Sequence, residues 1–133
     1  MTVFVDVNIF MYAAGAPHPS KDPCLRLLQR MADEAIEAMT DSEALQELLY
    51  RFWHLRRLEE GITIVESAVQ SMSRVLPVTA EDVLLARTLL RAHGRVEPRD
   101  AIHAAVMLNH GLTDLYSYDR HFDRIPGLKR LEP

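Results

Sequence analysis

Asp6 and Asp119 each follow an apolar run, Val3, Phe4 and Val5 in one case and residues 115–118 in the other. Short runs of this kind read as strands buried on both faces. In a parallel sheet such strands end on one edge, the carboxyl edge, where open α/β sheets place their ligands. Two carboxylates converging there repel each other unless a proton or a divalent cation holds them, and Mg²⁺ or Mn²⁺ favours such oxygen ligands. The implied chemistry is a metal site facing an ion or a phosphate. Acids are also ordinary turn residues, so from the opening stretch alone a plain strand-to-turn role for Asp6 stands level with the metal role. Asn8 is placed to cap the helix that begins with Ile9, Phe10, Met11 and Tyr12, and to steady Asp6 through its side chain. No cluster with zinc spacing, phosphate-binding glycine loop or GxSxG elbow occurs, which excludes zinc, nucleotide-loop and serine-hydrolase chemistry.

The elements that must position these acids can be read from periodicity and capping. Proline-rich residues 15–23 end the first helix, a second helix covers about 24–34, and a short strand is expected over 35–40. Thr40 and Glu43 form a capping-box pattern that opens a long amphipathic helix over about 43–59. Its stripe is Leu45, Leu48, Leu49 and Phe52, widened by Trp53 and Leu55 and ended by Gly61. Val65, Ala68, Val69 and Met72 mark another helix, and residues 74–78 a third strand. Thr79 and Asp82 repeat the capping-box pattern before a helix that stops near Gly94. Residues 97–111 carry Pro98 at the first helical position, Gly111 past the end, and a small-residue stripe of Ala101, Ala104, Ala105 and Leu108. A fourth strand runs to Tyr118 and is ended by Asp119, and the tail beyond Pro126 adds a short last strand or simply packs. Strands joined through crossover helices run parallel. The expected architecture is one α/β domain over 1–133, a three-layer α/β/α sandwich with a central parallel sheet of four to five strands.

Composition sets outer limits. The chain has 133 residues, suited to a single core, and a formal net charge of −4, which argues against gripping nucleic acid through the overall field. Contact with RNA or DNA then needs a local basic patch or bridging metal ions. Cys24 is the only cysteine, so no disulfide forms within the chain. No apolar run approaches the ~20 residues of a membrane span, and the expectation is a cytoplasmic, soluble protein.

Several charged residues have two readings. Asp100 sits in a first helical turn, where the helix dipole favours an acid without any catalytic role. Glu47 points away from the leucine stripe and reads by local geometry as a solvated glutamate. His103 and His121 are candidates for proton transfer or substrate contact, with ordinary packed or exposed positions the commoner case. Arg99, Arg120 and Arg124 flank the candidate acids and are candidates for phosphate binding. Met11, Tyr12, Phe52 and Trp53 are core or dimer-interface residues at helical spacing.

Four segments together resemble the motifs of the PIN domain, particularly toxin ribonucleases of the VapC type. They are FVDVNIFMYA, TDSEALQELLYRF, PRDAIHAAVMLNHG and LYSYDRHFDRIPGL, in family order and covering almost the whole chain. The resemblance implies an acidic quartet of Asp6, Glu47, Asp100 and Asp119, with Asp6, Asp100 and Asp119 as metal ligands and Asp123 as a further acid. It implies supporting roles for Asn8 and Ser117. It reverses the solvated reading of Glu47. It further implies RNA cleavage with Mg²⁺ or Mn²⁺, a homodimer, and silencing by a cognate antitoxin. The competing functional classes are a receiver-like signalling domain and a non-catalytic binding module; the third strand leads into Thr79, where a receiver would want its phosphoacceptor aspartate.

Overall fold

The computed structural model describes all residues, Met1–Pro133. Strand β1 (Thr2–Val5) lies at the centre of a five-stranded sheet, with β2 (Glu37–Asp41), β3 (Arg74–Leu76), β4 (Asp114–Tyr116) and β5 (Lys129–Leu131) in the order β3-β2-β1-β4-β5. Every neighbouring pair is parallel. The tail after Pro126 therefore supplies the fifth strand. Helices α1 (Val7–Ala14), α2 (Lys21–Ala32), α3 (Ser42–His54), α4 (Leu58–Ser71), α5 (Ala80–Ala92) and α6 (Pro98–Asn109) make the crossovers, and a 3₁₀ turn spans Arg120–Arg124.

Alternation along β1 creates the three layers. Val3 and Val5 enter a core shared with α1 to α4, containing Ile9, Phe10, Leu27, Leu48 and Phe52. Phe4 points to the opposite face and joins Leu115, Phe122 and the Ala101, Ala104, Ala105 stripe of α6. These three alanines are fully buried, which lets α6 lie close against the sheet. Pro98 occupies the start of α6 and Gly111 adopts φ 68° beyond its end, as the sequence pattern requires.

Three local expectations are corrected. The helix over 43–59 is broken: α3 ends at His54, Arg56 turns the chain with φ 58°, and α4 starts at Leu58. Gly61 therefore ends nothing and lies in the first turn of α4. A Cβ there would meet the Phe52 Cβ at 2.5 Å, so the glycine is required by the close crossing of α3 and α4. Gly61→Ala should cost about 1–3 kcal/mol of stability by overpacking, read from the midpoint of chemical denaturation; an unchanged midpoint would show that the crossing yields freely. The capping box at Thr40 and Glu43 does not form. Thr40 is held in β2 by register with Val75 and donates its hydroxyl to the Val5 carbonyl at 2.8 Å, while Asp41 caps α3 by accepting from the Ala44 amide at 2.9 Å. The Thr79 and Asp82 capping box forms as expected.

Candidate acidic active site

The carboxyl edge of the sheet gathers the acids through a short hydrogen-bonded chain. Asp6, leaving β1, is buried and caps α1 by accepting from the Val7 amide at 2.7 Å. Asn8 is thus not the cap; it falls inside the first turn, where its amide donates to Asp6 Oδ2 at 3.3 Å and to Ser117 Oγ at 3.2 Å. Its carbonyl accepts from the Tyr118 amide at 3.3 Å. Ser117 donates its hydroxyl to Asp6 Oδ2 at 2.6 Å and accepts from the Asp119 amide at 2.9 Å. β4 stops at Tyr116, so Asp119 does not end the strand as expected but caps the 3₁₀ turn, accepting from the His121 amide at 2.9 Å.

Asp100 enters from the first turn of α6 and is 5% exposed. Burial, the adjoining Asp119 carboxyl and the charge of Asp6 push its carboxyl up to about 8. One oxygen from each of Asp100 and Asp119 and one ring nitrogen of His121 lie within 4.8 Å of one another. Asp100 Oδ2 is buried without a hydrogen-bond partner, and His121 Nδ1, buried likewise and without an aligned hydrogen bond, lies 3.1 Å from Asp119 Oδ1. Two carboxylates and an imidazole with unsatisfied donor atoms suit a hard divalent cation better than a packed protein interior.

Glu47 is buried at 4% exposure, against its solvated reading. The reason lies in how α3 is rotated. Its inward face is Ala44, Glu47, Leu48 and Phe52, whereas Leu49, a member of the apparent stripe, and Trp53, which widened it, stand exposed. Arg99 meets Glu47 at 3.0 Å; burial raises the Glu47 carboxyl above its ordinary range and the Arg99 charge pulls it back. Arg99 also pairs with Glu97 at 3.1 Å, so its guanidinium is engaged with carboxylates rather than free for phosphate. Arg120 and Arg124 are exposed. Asp123 is set apart from the cluster: the Arg130 guanidinium grips both its oxygens, at 3.0 and 3.3 Å, and donates to the Ser117 carbonyl at 3.0 Å. Its partner is Arg130, and it is not part of the group formed by Asp100, Asp119 and His121.

Two residues are not assigned to the site by the sequence: Asp41 has no role there, and His103 is only a proton-transfer or substrate-contact candidate weighed against an ordinary packed or exposed position. Asp41 and His103 are fully buried, with His103 Nδ1 and Asp41 Oδ2 2.7 Å apart. His103 Nε2 points toward Asp6 Oδ1 at 4.0 Å and has no hydrogen-bond partner. Burial works against a charge on this ring, but the Asp41 bond and the charges of Asp41, Asp6 and Asp100 overcome it and hold its pKa up to about 9. The available signals were the placement of Asp41 at the end of β2, matching Asp6 after β1, and the one-turn spacing of Asp100 and His103 on α6. A cavity of ≈ 640 Å³ between Ile36, Ser67 and Ser73 shares no lining residue with this site.

The family model of the PIN domain matches residues 3–128. The chain is a PIN domain of the VapC type. It is 40% identical over 129 residues to ribonuclease VapC13 of Mycobacterium tuberculosis, covering 97% of this chain and 98% of that one. To ribonuclease VapC23 of the same species it is 34% identical over 120 residues, 88% of this chain and 92% of the other. The fold matches that of Mycobacterium tuberculosis VapC20, a sarcin-ricin loop cleaving toxin, with a TM-score of 0.78 at 22% identity, covering 98% and 99% of the two chains. It likewise matches VapBC2 from Rickettsia felis, solved with a promoter DNA fragment, with a TM-score of 0.75 at 20% identity over 99% and 98%. In this PIN domain the sheet order and the five parallel strands are those of the three-layer α/β/α class, and no helix is long and apolar enough to cross a membrane.

Proposed function

We propose that this PIN domain is a metal-dependent endoribonuclease that hydrolyses RNA phosphodiester bonds as the toxin of a toxin–antitoxin pair. The observation that carries the reading is the meeting of Asp100, Asp119 and His121 at one sheet edge, with buried Asp6 near enough for its charge to raise the carboxyls of both Asp100 and buried Glu47. Relatives of the chain carry the name ribonuclease, and solved neighbours are VapBC toxin–antitoxin assemblies.

Asp6, Asp100 and Asp119 would hold Mg²⁺ or Mn²⁺, with His121 at the margin. When bound, the cation supplies the positive charge that favours both a deprotonated attacking water and the crowded phosphate. The protein provides the rest. Ser117, Asn8 and the Val7 amide fix the Asp6 carboxylate, so its oxygens need no reorganisation when substrate arrives. Glu47, oriented by Arg99, or Asp100 aligns the water and takes its proton. Hydrolysis breaks the bond between phosphorus and the 3′ oxygen, leaving a 5′-phosphate on one fragment and a hydroxyl on the other.

The apolar groove of Phe10, Ala13, Leu25, Leu28, Ile64 and Ala68, ≈ 260 Å³ between α1, α2 and α4, suits the apolar face of an antitoxin segment. Val83 and Leu84, exposed at 48% and 52% on α5, offer a face for a second copy in a homodimer. The cytoplasm is the compartment this role requires.

The deciding experiment pairs melting curves with an RNA cleavage assay. Mg²⁺ or Mn²⁺ should raise the melting temperature, because the ion binds only the folded site. Glu47→Gln should cut cleavage by orders of magnitude and leave metal-free stability equal or higher by relieving carboxylate repulsion. Glu43→Ala, at a helix position that caps nothing, should cleave like the wild type. A melting curve indifferent to millimolar metal, or a fully active Glu47→Gln, would overturn the reading.

A further inference from the structure

α3 carries four side chains in one line: Glu47, Tyr50, Arg51 and His54 recur at the i, i+3, i+4, i+7 spacing that stacks residues on a single helix face. The line starts buried and ends in solvent, Glu47 being 4% exposed and Tyr50 54%. The Tyr50 and His54 rings stack with centroids 6.2 Å apart and planes at 19°. Trp53, 61% exposed, lies beside Tyr50 at 6.2 Å and 33°. Flat aromatic faces are thus laid out on solvent, while Phe52 of the same helix is buried in the core.

The charge on this face opposes the charge of the chain. Arg51 is exposed, makes no ion pair within the chain and is close enough to lower the pKa of Glu47; Arg56 is exposed and free of carboxylates at the following corner. Arg57 is the exception, paired with Glu60. In a protein of net charge −4 this places two unpaired guanidiniums among three aromatic rings on a path leading out of the acidic site. Aromatic rings mixed with arginine are the composition on which unpaired bases stack while the backbone is neutralised.

We propose that the Tyr50, Arg51 and His54 stripe, flanked by Trp53, is the platform on which single-stranded RNA lies beside the cleaved bond, its bases on the rings and a phosphate on Arg51. The proposal rests on the ribonuclease reading and adds to it the surface that carries the strand beside the cut.

Trp53 is the only tryptophan, so its emission reports this face alone. In EDTA, where cleavage does not run, titration with a short unstructured RNA should quench Trp53 emission to saturation, at a midpoint independent of protein concentration. Tyr50→Ala should weaken binding about tenfold or more, and Tyr50→Phe should restore it. Arg51→Ala should lower the salt dependence of binding by about one counterion. In steady-state cleavage with Mn²⁺, Tyr50→Ala should raise KM more than it lowers kcat. Wild-type cleavage with unaltered Trp53 emission and unchanged binding by Tyr50→Ala would overturn the platform alone. Emission that follows protein concentration, with Tyr50→Ala converting a dimer to a monomer in sedimentation, would overturn it by assigning the face to a second copy. A wild type that neither binds nor cleaves RNA would remove the ribonuclease reading and the platform together.

Discussion

Asp100→Asn should abolish RNA cleavage and, in the absence of metal, stabilise the protein at neutral and higher pH. The carboxyl of Asp100 is raised to about 8 by burial, by the adjoining Asp119 and by the charge of Asp6, so the folded state holds its proton more tightly than the unfolded chain. The favourable contribution is complete below the ordinary carboxylate pKa of about 4 and is lost as the pH rises through about 8. Metal-free wild type should therefore melt at lower temperature as the pH climbs across that window. His103, raised to about 9, adds a loss of the same sign between its ordinary value of about 6.5 and that pKa. The asparagine variant lacks the aspartate part and, without the Asp100 charge near His103, keeps a smaller histidine part, so the difference between the two melting profiles reports Asp100 together with its coupling to His103. Saturating Mg²⁺ should raise the wild type and leave the variant nearly unmoved. A variant that melts below wild type at pH near 8 without metal, or that still cleaves RNA, would contradict this assignment.

Asp41→Ala should be the most destabilising single change at the site, costing about 3–5 kcal/mol, because it leaves His103 buried and stripped of its counter-charge. The same substitution exposes the Ala44 amide at the start of α3, adding about 1 kcal/mol for the lost cap. Chemical denaturation would measure the sum. Combining it with His103→Leu removes both members of the pair and should recover a large part of the loss, since an apolar replacement leaves no unpaired charge. If Asp41→Ala alone proves neutral, the 2.7 Å contact is not the ion pair that its burial implies.

The Asp41 and His103 pair also bears on how an acidic site is tolerated without metal. Three buried carboxylates, Asp6, Glu47 and Asp100, face few cations: Arg99 lies against Glu47, and His103 lies behind Asp6. His103 provides positive charge from within the core and Arg99 from a half-exposed side chain, and both lower the repulsion. Arg130 holds Asp123 apart from the cluster and donates to the Ser117 carbonyl.

Strand and helix identities were legible in the chain because they rest on local signals. The run Val3, Phe4 and Val5 could only be buried on both faces, and β1 is the central strand; Pro98 and Gly111 bound α6 because one lacks an amide proton and the other tolerates φ 68°. The support of Asp6 by Asn8 was likewise local, a side chain reaching two residues back. Tertiary structure alone decided the rest. Glu47 is buried because α3 turns its Ala44, Leu48 and Phe52 face inward, an orientation that exposed Leu49 and Trp53 concealed in the hydrophobic pattern. Thr40 lost its expected capping role because β2 pairing claimed the threonine and left Asp41 to cap the helix and meet a histidine 62 residues away. Gly61 is needed where two helices cross, not where one stops. Periodicity and capping record what a residue does with its near neighbours; the direction a helix faces, and which distant charge its side chain meets, are set by the packing that buries the most apolar surface while leaving the fewest charges unpaired.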